Sequence, residues 1–423
     1  MAKFNTENQK MLIATTIGST LEIFDFLSFI FLSSIIAKLF FPNNNNGLNI
    51  LFTYSTITIS YLLRPIGGII LGNLGDKFGR KSVFTISILL MSVPSFLISI
   101  MPTYQQIGYT ATILLIIFRI MQGFSLGGEV PGSITYIREK FKDKNYFLST
   151  AWLTFGANVG VVLAAELVEF LSHSLSSSRM LAIGYRIPFF LGGFLSIIGF
   201  YIRRSVTESD EFQHLQQTKK LSQAPLITLL KNYKIEIISG IALAIIVSLV
   251  TSIFHVILPN LLVSYFNYPL SNVIRLSLFG ATTLAIFSLF FAYVTIYFSV
   301  TRILRFGVIS LILIFSFLFL KPHFIFTNLI AIICIISIAT AAINGLFFGL
   351  LADLFPTAVR FSGVALCYNI SYILGAGFTP LWSDLIIKTT HSLQFIIIIC
   401  LILSIISLLN VSLIKNLRQK HVL

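Results

Sequence analysis

Long apolar runs, separated by short polar segments, dominate the chain. Each run is about 20 residues or longer, which is the length that a helix needs to cross the hydrocarbon core of a bilayer. They predict spans 1 to 6 near residues 11–39, 50–74, 82–101, 107–137, 147–171 and 184–203, and spans 7 to 12 near residues 235–265, 272–299, 302–320, 323–351, 357–386 and 390–414. The pattern therefore predicts an all-α integral membrane protein with twelve transmembrane helices.

The longest polar segment divides these predicted spans into two sets of six. We therefore expect an N-terminal six-helix bundle at residues 1–203, a cytoplasmic central loop at residues 204–234 and a C-terminal six-helix bundle at residues 235–423. The central loop is expected to contain a short amphipathic or interfacial helix.

Composition agrees with lipid as the main solvent of the chain. Hydrophobic residues make up 56% of the 423 positions, and charged residues make up only 10%, whereas roughly a quarter of the residues of a soluble domain are charged. The cysteines, Cys334, Cys367 and Cys400, lie inside apolar runs without metal-ligand spacing. We interpret them as buried hydrophobic residues and predict no metal site.

The distribution of positive charge predicts the orientation of the spans. The net charge is +14, but no basic stretch alternates with aromatic residues as a nucleic-acid surface would require. With the N-terminus placed in the cytoplasm, 21 of the 29 Lys and Arg residues lie in cytoplasmic segments and six lie on the opposite side. The positive-inside rule then predicts a multi-pass protein of a bacterial inner membrane with both termini cytoplasmic.

Charged residues at membrane depth are the first candidates for function. Glu22 and Asp25 lie in predicted span 1, Arg64 lies in span 2 and Arg119 lies in span 4. A charge at the bilayer centre costs about 2.5–3.5 kcal/mol on insertion scales, so it persists where it pairs or faces a polar cavity. Glu22 and Asp25 are three residues apart and share a helix face. Two interpretations remain open: a static ion-pair network, or a proton and substrate site.

Uncharged polar residues supply the remaining candidates. The spans of the second half contain almost no acids, and their substrate-binding candidates are His255, Asn344, Asn369 and Tyr372; Asn158 is the corresponding candidate in span 5. If both halves flank one cavity, the first half supplies charge and the second supplies hydrogen bonds and aromatic surface. A lone histidine such as His255 is more often a packed side chain than a proton carrier.

The loop between predicted spans 2 and 3 carries a compact pattern of glycines and charges. It runs from Gly72 to Lys81 and includes Asp76, Gly79 and Arg80. The glycines permit a tight turn, Asp76 can accept from backbone N–H groups at a helix N-terminus, and Arg80 can pair with a carboxylate on a facing helix. Such a cluster can hold one conformation and release it in another.

This loop matches the cytoplasmic signature of the major facilitator superfamily. Five further segments resemble its metabolite:proton symporter family: Glu22–Phe26, Arg64–Gly68, Arg119–Glu129, Tyr185–Phe189 and Phe355–Gly363. The resemblance covers essentially the whole chain. Within that family, the chain is similar to the proline/glycine-betaine and 2-oxoglutarate permeases.

The resemblance implies a secondary transporter that works by alternating access between two six-helix bundles. Its partners would be a small carboxylate or zwitterionic metabolite, protons and membrane lipid, without nucleic acid, and we expect a monomer. The proton gradient would be the energy source, without a cofactor. The implied roles are proton coupling for Glu22 and Asp25, carboxylate binding for Arg64 and Arg119, and a cytoplasmic gate formed by Gly72, Asp76, Gly79, Arg80, Glu129 and Arg360.

One departure from the family pattern keeps alternatives open. The loop between spans 8 and 9 normally repeats the signature, but Tyr293–Arg305 contains basic residues and no acid. One alternative is therefore a transporter-like receptor or facilitator that is not coupled to protons. A second alternative is an exporter of a small organic compound, because the facilitator fold supports transport in both directions. The sequence contains no nucleophile–base arrangement or nucleotide loop, so an enzyme is not expected.

Overall fold

The computed structural model describes residues 6–41, 46–141, 146–204, 207–218, 222–258, 261–262, 268, 270–390 and 392–422. Among these residues there are helices and short connections, and no β-strand. The predicted all-α class is therefore confirmed. The helices up to the central loop are α1 Thr6–Phe31, α2 Ser33–Phe40, α3 Asn46–Phe78, α4 Arg80–Ile100, α5 Tyr104–Ile107, α6 Tyr109–Lys140, α7 Tyr146–Ser174, α8 Ser177–Arg179 and α9 Arg186–Arg204.

The remaining helices begin in the central loop and continue to the C-terminal part of the chain. They are α10 Asp210–Gln217, α11 Pro225–Asn232, α12 Lys234–Ser252, α13 Leu270–Val294, α14 Val300–Leu320, α15 Phe324–Thr327, α16 Leu329–Asp353, α17 Arg360–Tyr372, α18 Thr379–Thr390 and α19 Gln394–Val422. Three π-helical turns extend α8, α12 and α17, at Met180–Gly184, Ile253–Ile257 and Ile373–Gly377.

The long helices coincide with the predicted spans. Within the described residues, eleven helical segments are long and apolar enough to cross a membrane, by length and composition. Predicted span 2 corresponds to α3, whose 33 residues are also long enough, since an α-helix rises about 1.5 Å per residue. The connection from α3 to α4 is made by Gly79, whose φ of 104° favours a residue without a Cβ atom.

The described residues divide into two compact units. Unit 1 contains residues up to Ser133 together with Gly156–Ser209, and unit 2 contains Ile134–Phe155 together with residues from Asp210 onward. In unit 1, α9 packs along α4 and α1. In unit 2, α13 packs along α16, α14 packs along α19, and α12 packs along α17. The predicted organisation into bundles 1–203 and 235–423 stays a prediction.

Glycines bring α3 and α6 of unit 1 into backbone contact. A Cβ atom at Gly67 would lie 2.1 Å from the carbonyl oxygen of Phe124, and one at Gly127 would lie 2.1 Å from that of Arg64. Ser60 Oγ on α3 also donates to the carbonyl oxygen of Arg119 on α6, at 3.2 Å. Small residues permit such approach between membrane helices. The glycines and the Ser60 hydrogen bond therefore hold the segments that carry Arg64 and Arg119 side by side.

Candidate functional site

A buried polar network in unit 1 joins α1 to α6. Asp25 on α1 and Arg119 on α6 are both 0% exposed, and Gln122 lies between them. The Gln122 Nε2 atom donates to Asp25 Oδ2 at 2.7 Å, and Arg119 Nη1 donates to Gln122 Oε1 at 2.9 Å. Two of the charges predicted at membrane depth are thus connected through a neutral amide, a residue that the sequence analysis did not select.

Aromatic rings surround the two arginines of this network. The Arg64 guanidinium carbon lies 4.7 Å from the ring centroid of Phe26 and 4.5 Å from that of Tyr61. The Arg119 guanidinium carbon lies 4.0 Å from the ring centroid of Phe29 and 5.2 Å from that of Phe26. Cations are attracted to the faces of aromatic rings. These contacts stabilise the guanidinium groups away from water while their N–H groups stay able to donate.

Several polar atoms of this network have hydrogen-bonding capacity to spare. Among the described residues, Arg119 Nε and Nη2, Arg64 Nε and Asp25 Oδ1 are buried and make no hydrogen bond. A buried donor or acceptor without a partner costs about 1–3 kcal/mol, and more when it is charged. The arrangement therefore has guanidinium groups able to bind an anion beside a carboxyl group able to carry a proton.

Two further candidates lie in unit 1. Glu22 is buried on α1, one turn before Asp25, and is 2% exposed. Asn158 is half-buried on α7. The roles assigned to both residues stay predictions.

His255 of unit 2 occupies a packed position between α12 and α16. Its Nδ1 atom lies 3.2 Å from the carbonyl oxygen of Thr251, and its Nε2 atom lies 2.9 Å from Ser337 Oγ. A carbonyl oxygen only accepts, so the Nδ1 atom must carry the proton and Nε2 accepts from the serine hydroxyl. One ring nitrogen is thus bonded within α12 and its π turn, and the other connects His255 to α16. Substrate binding by His255 stays a prediction.

The other unit 2 candidates lie on α16 and α17. Asn344 is 6% exposed, and its backbone carbonyl oxygen accepts from Thr154 Oγ1 at 3.4 Å. The side chain of Asn369 donates to the carbonyl oxygen of Ala365 on its own helix, at 2.8 Å. Tyr372 is half-buried, and its ring centroid lies 4.3 Å from that of Tyr368. Substrate binding by these residues stays a prediction.

The predicted gate loop forms a local ion pair in unit 1. Arg80 Nη2 lies 3.3 Å from Asp76 Oδ1, and both side chains are 0% exposed. Arg80 Nη1 also donates to the carbonyl oxygen of Gly75 at 2.9 Å, and Gly72 precedes this pair on α3. Glu129 is buried on α6; its role in the gate stays a prediction.

Arg360, the gate candidate of unit 2, bonds to the central loop. Its Nη1 atom lies 2.8 Å from Glu211 Oε2 on α10 and 3.5 Å from Glu139 Oε1 on α6. Thr357 Oγ1 also donates to Glu211 Oε2 at 2.7 Å. Burial tends to raise the pKa of Glu211, but the charge of Arg360 and the hydrogen bonds from Arg360 and Thr357 outweigh it, so the net pKa lies below the usual value of 4.5.

A second ionic cluster of unit 2 was not predicted from the sequence. Asp353, at the end of α16, has a side chain that is only 1% exposed. Its Oδ1 atom accepts from Arg138 Nε at 2.6 Å, and its Oδ2 atom accepts from Arg418 Nε at 2.7 Å and from the hydroxyl of Tyr146. Arg418 Nη2 also donates to the Tyr146 hydroxyl, at 3.1 Å. One carboxylate thus connects residues from α6, α7 and α19.

Long apolar helices that bury acids and bases are typical of a polytopic membrane protein, in which such groups mark substrate or ion pathways. Comparison with known proteins agrees with this class and narrows it. The chain belongs to the Major Facilitator Superfamily, whose sequence profile matches residues 22–360.

Named relatives cover most of the chain. It is 32% identical over 417 residues to the proline/betaine transporter of Escherichia coli K12, a match that covers 95% of this chain and 82% of that protein. It is 30% identical over 417 residues to the glycine betaine/proline/ectoine/pipecolic acid transporter OusA of Dickeya dadantii, with the same coverage.

The fold is also that of solved transporters. The structure of the proton:xylose symporter XylE bound to 6-bromo-6-deoxy-D-glucose matches with a TM-score of 0.82 at 13% sequence identity, and the match covers 97% of this chain and 96% of XylE. The predicted family and the predicted transporter class, as opposed to an enzyme, are confirmed.

Proposed function

We propose that this protein imports a small zwitterionic or carboxylate metabolite, of the proline/betaine or 2-oxoglutarate type, together with protons by alternating access. The observation that carries the proposal is the buried Arg119, whose Nε and Nη2 atoms make no hydrogen bond among the described residues and which is connected to Asp25 through Gln122. The names of the E. coli and Dickeya relatives support the choice of substrate class.

Arg119 and Arg64 suit a carboxylate ligand. A guanidinium group presents its donors in a planar fork that matches the two oxygens of a carboxylate. Arg64 adds a second positive charge in contact with the same ring, Phe26. A ligand carboxylate at these groups would supply the acceptors that the buried N–H groups lack.

Asp25 suits the transfer of a proton. A carboxyl group that is fully buried in a membrane helix carries a large cost as an isolated charge, and protonation removes that charge. We therefore assign proton coupling to Asp25, with Glu22 as a second candidate one turn away. No cofactor enters this scheme, because the proton gradient supplies the energy.

The proposal places the chain as a monomer in the cytoplasmic (inner) membrane of a bacterium, with both termini in the cytoplasm. The gate would be formed on the cytoplasmic side by Gly72, Asp76, Gly79, Arg80, Glu129 and Arg360.

Uptake of radiolabelled compounds into proteoliposomes tests this function. The panel is proline, glycine betaine, 2-oxoglutarate, citrate and shikimate, each with and without an inward proton gradient. We expect gradient-dependent accumulation of at least one compound, and loss of that accumulation in Asp25→Asn. Glu169→Gln is the matched control, because Glu169 lies on α7 with a side chain 31% exposed.

The other outcomes distinguish the alternatives. If the compound only equilibrates across the membrane, with or without the proton gradient, an uncoupled facilitator is favoured. If the gradient drives efflux of the compound, an exporter is favoured. Accumulation of none of the five compounds would contradict the proposed substrate class. Full gradient-driven uptake by Asp25→Asn would show that another group carries the proton.

A further inference from the structure

We infer that Gln122 is the positioning residue that couples the proton carrier Asp25 to the substrate-binding guanidinium of Arg119. This inference rests on the proposed function and assigns the route by which one site affects the other. Gln122 is 0% exposed and contacts both groups directly.

The hydrogen-bond pattern fixes the orientation of the Gln122 amide. Arg119 Nη1 can only donate, so the amide atom that lies 2.9 Å from it must be the oxygen. The NH₂ group of the amide accordingly faces Asp25 Oδ2 at 2.7 Å and Ser95 Oγ at 2.8 Å.

The two ends of the Gln122 amide bond to different functional groups. The NH₂ group uses its two protons on Asp25 and Ser95, and the oxygen accepts from Arg119 Nη1. Asp25 and Arg119 make no direct ion pair in the described part of the chain, and Gln122 forms a hydrogen bond to each of them. A substrate carboxylate that draws the Arg119 guanidinium toward itself would loosen the bond to Gln122 Oε1. The amide would then move relative to Asp25.

A neutral residue is needed at this position. A carboxylate at position 122 would bond to Arg119 in competition with the substrate and would give Asp25 no donor when ionised. A cationic side chain would pair with Asp25 and hold its charge. Glutamine donates to Asp25 and accepts from Arg119, so a movement of the Arg119 guanidinium moves the donor of Asp25. Being neutral, it holds neither of these two groups in one charge state.

Infrared difference spectroscopy tests the contact without any substrate. The carboxyl C=O stretching band of Asp25 is identified in pH-jump difference spectra by its loss in Asp25→Asn. In Gln122→Met, which keeps the side-chain length, we expect this band to move to higher frequency because the carboxyl loses a donor. Gln105→Met is the matched control, because Gln105 is exposed on α5. An unmoved band in Gln122→Met would overturn the inference.

Transport tests the coupling itself. For a compound that the wild-type protein accumulates, we expect Gln122→Met to lower gradient-driven accumulation at least about ten-fold while counterflow exchange stays within about two-fold. In the Asp25→Asn background the same change should produce no further loss of accumulation, because residues that act as one unit are not additive. Equal losses of accumulation and counterflow, or independent losses in the double variant, would contradict the inference.

The infrared and transport experiments test the inference about Gln122 and the proposed function separately. Failure of the wild-type protein to accumulate any compound would count against the proposed function, while the Asp25 band would still decide whether Gln122 bonds to Asp25. If Gln122→Met does not yield folded protein, Gln122→Leu replaces it. Its side chain has no donor for Asp25, so the band shift is again expected, and its absence would again overturn the inference.

Discussion

Replacing Asp353 by asparagine removes the buried negative charge that pairs with both Arg138 and Arg418. The asparagine oxygen can still accept from one arginine, but its NH₂ group would face a guanidinium N–H group or the Tyr146 hydroxyl. Breaking a buried ion pair from one side costs about 3–5 kcal/mol, because the remaining charge stays buried and uncompensated. We expect Asp353→Asn to destabilise the protein by about that amount.

The expected shift in melting temperature follows from the size of the chain. Unfolding entropy is about 2.1 cal/mol/K per residue in globular proteins, which gives about 0.9 kcal/mol/K for 423 residues. The loss of about 3–5 kcal/mol then lowers the melting temperature by about 3–6 °C. Thermal unfolding of the purified protein in detergent, followed by fluorescence at one fixed scan rate, measures this shift.

A matched control separates burial from the loss of charge. Asp384 pairs with Lys388 at 2.6 Å, but the two side chains are 43% and 60% exposed, and exposed pairs contribute about 0–1 kcal/mol. Asp384→Asn should therefore leave the melting temperature within about 1 °C. Equal shifts in the two variants would refute the reasoning that burial gives the Asp353 cluster its effect.

Two further predictions follow from packing and charge. Gly127→Ala would place its Cβ atom 2.1 Å from the Arg64 carbonyl oxygen, whereas the Cβ atom of Gly199→Ala would meet side-chain methyl groups of Ile88 at 3.2 Å and of Leu21 at 3.9 Å. We expect the first variant alone to lower the melting temperature by several degrees, and similar melting temperatures in the two variants would refute this. The pKa of Glu211 is lowered in the folded protein, so its stabilising contact is complete above about pH 4.5 and is lost as the pH falls through the folded pKa. A spin label on α10 should therefore gain mobility on acidification in the wild-type protein, and Glu211→Gln should remove this pH dependence.

Much of the fold could be predicted because membrane spans are a property of local composition. Each apolar run is long enough to span a bilayer by itself, so its helix does not depend on a distant partner. Asp25 and Arg119 were also identifiable, because a charge inside an apolar run is costly wherever the helix packs. Their connection was not, since their positions in the sequence do not specify how two helices are aligned.

The residues of the site that were not predicted from the sequence were missed for two physical reasons. Gln122 is neutral, so the cost of burying charge does not select it, although its spacing of three residues from Arg119 places both on one helix face. Tyr146 and Asp353 are 207 positions apart, and each lies at a helix end where a polar residue is common. Only the tertiary packing of α6, α7, α16 and α19 brings that cluster together.

The π turns of α12 and α17 have a mechanical consequence. They lie close together, because Gly375 in the turn of α17 packs against Ser248 of α12, five residues before the turn of α12 begins. A π turn holds an extra residue, and one residue corresponds to about 100° of rotation in an α-helix. A shift of the extra residue along the helix would therefore rotate the helical part on one side of the π turn relative to the part on the other side. Only the hydrogen bonds at the π turn would have to be exchanged.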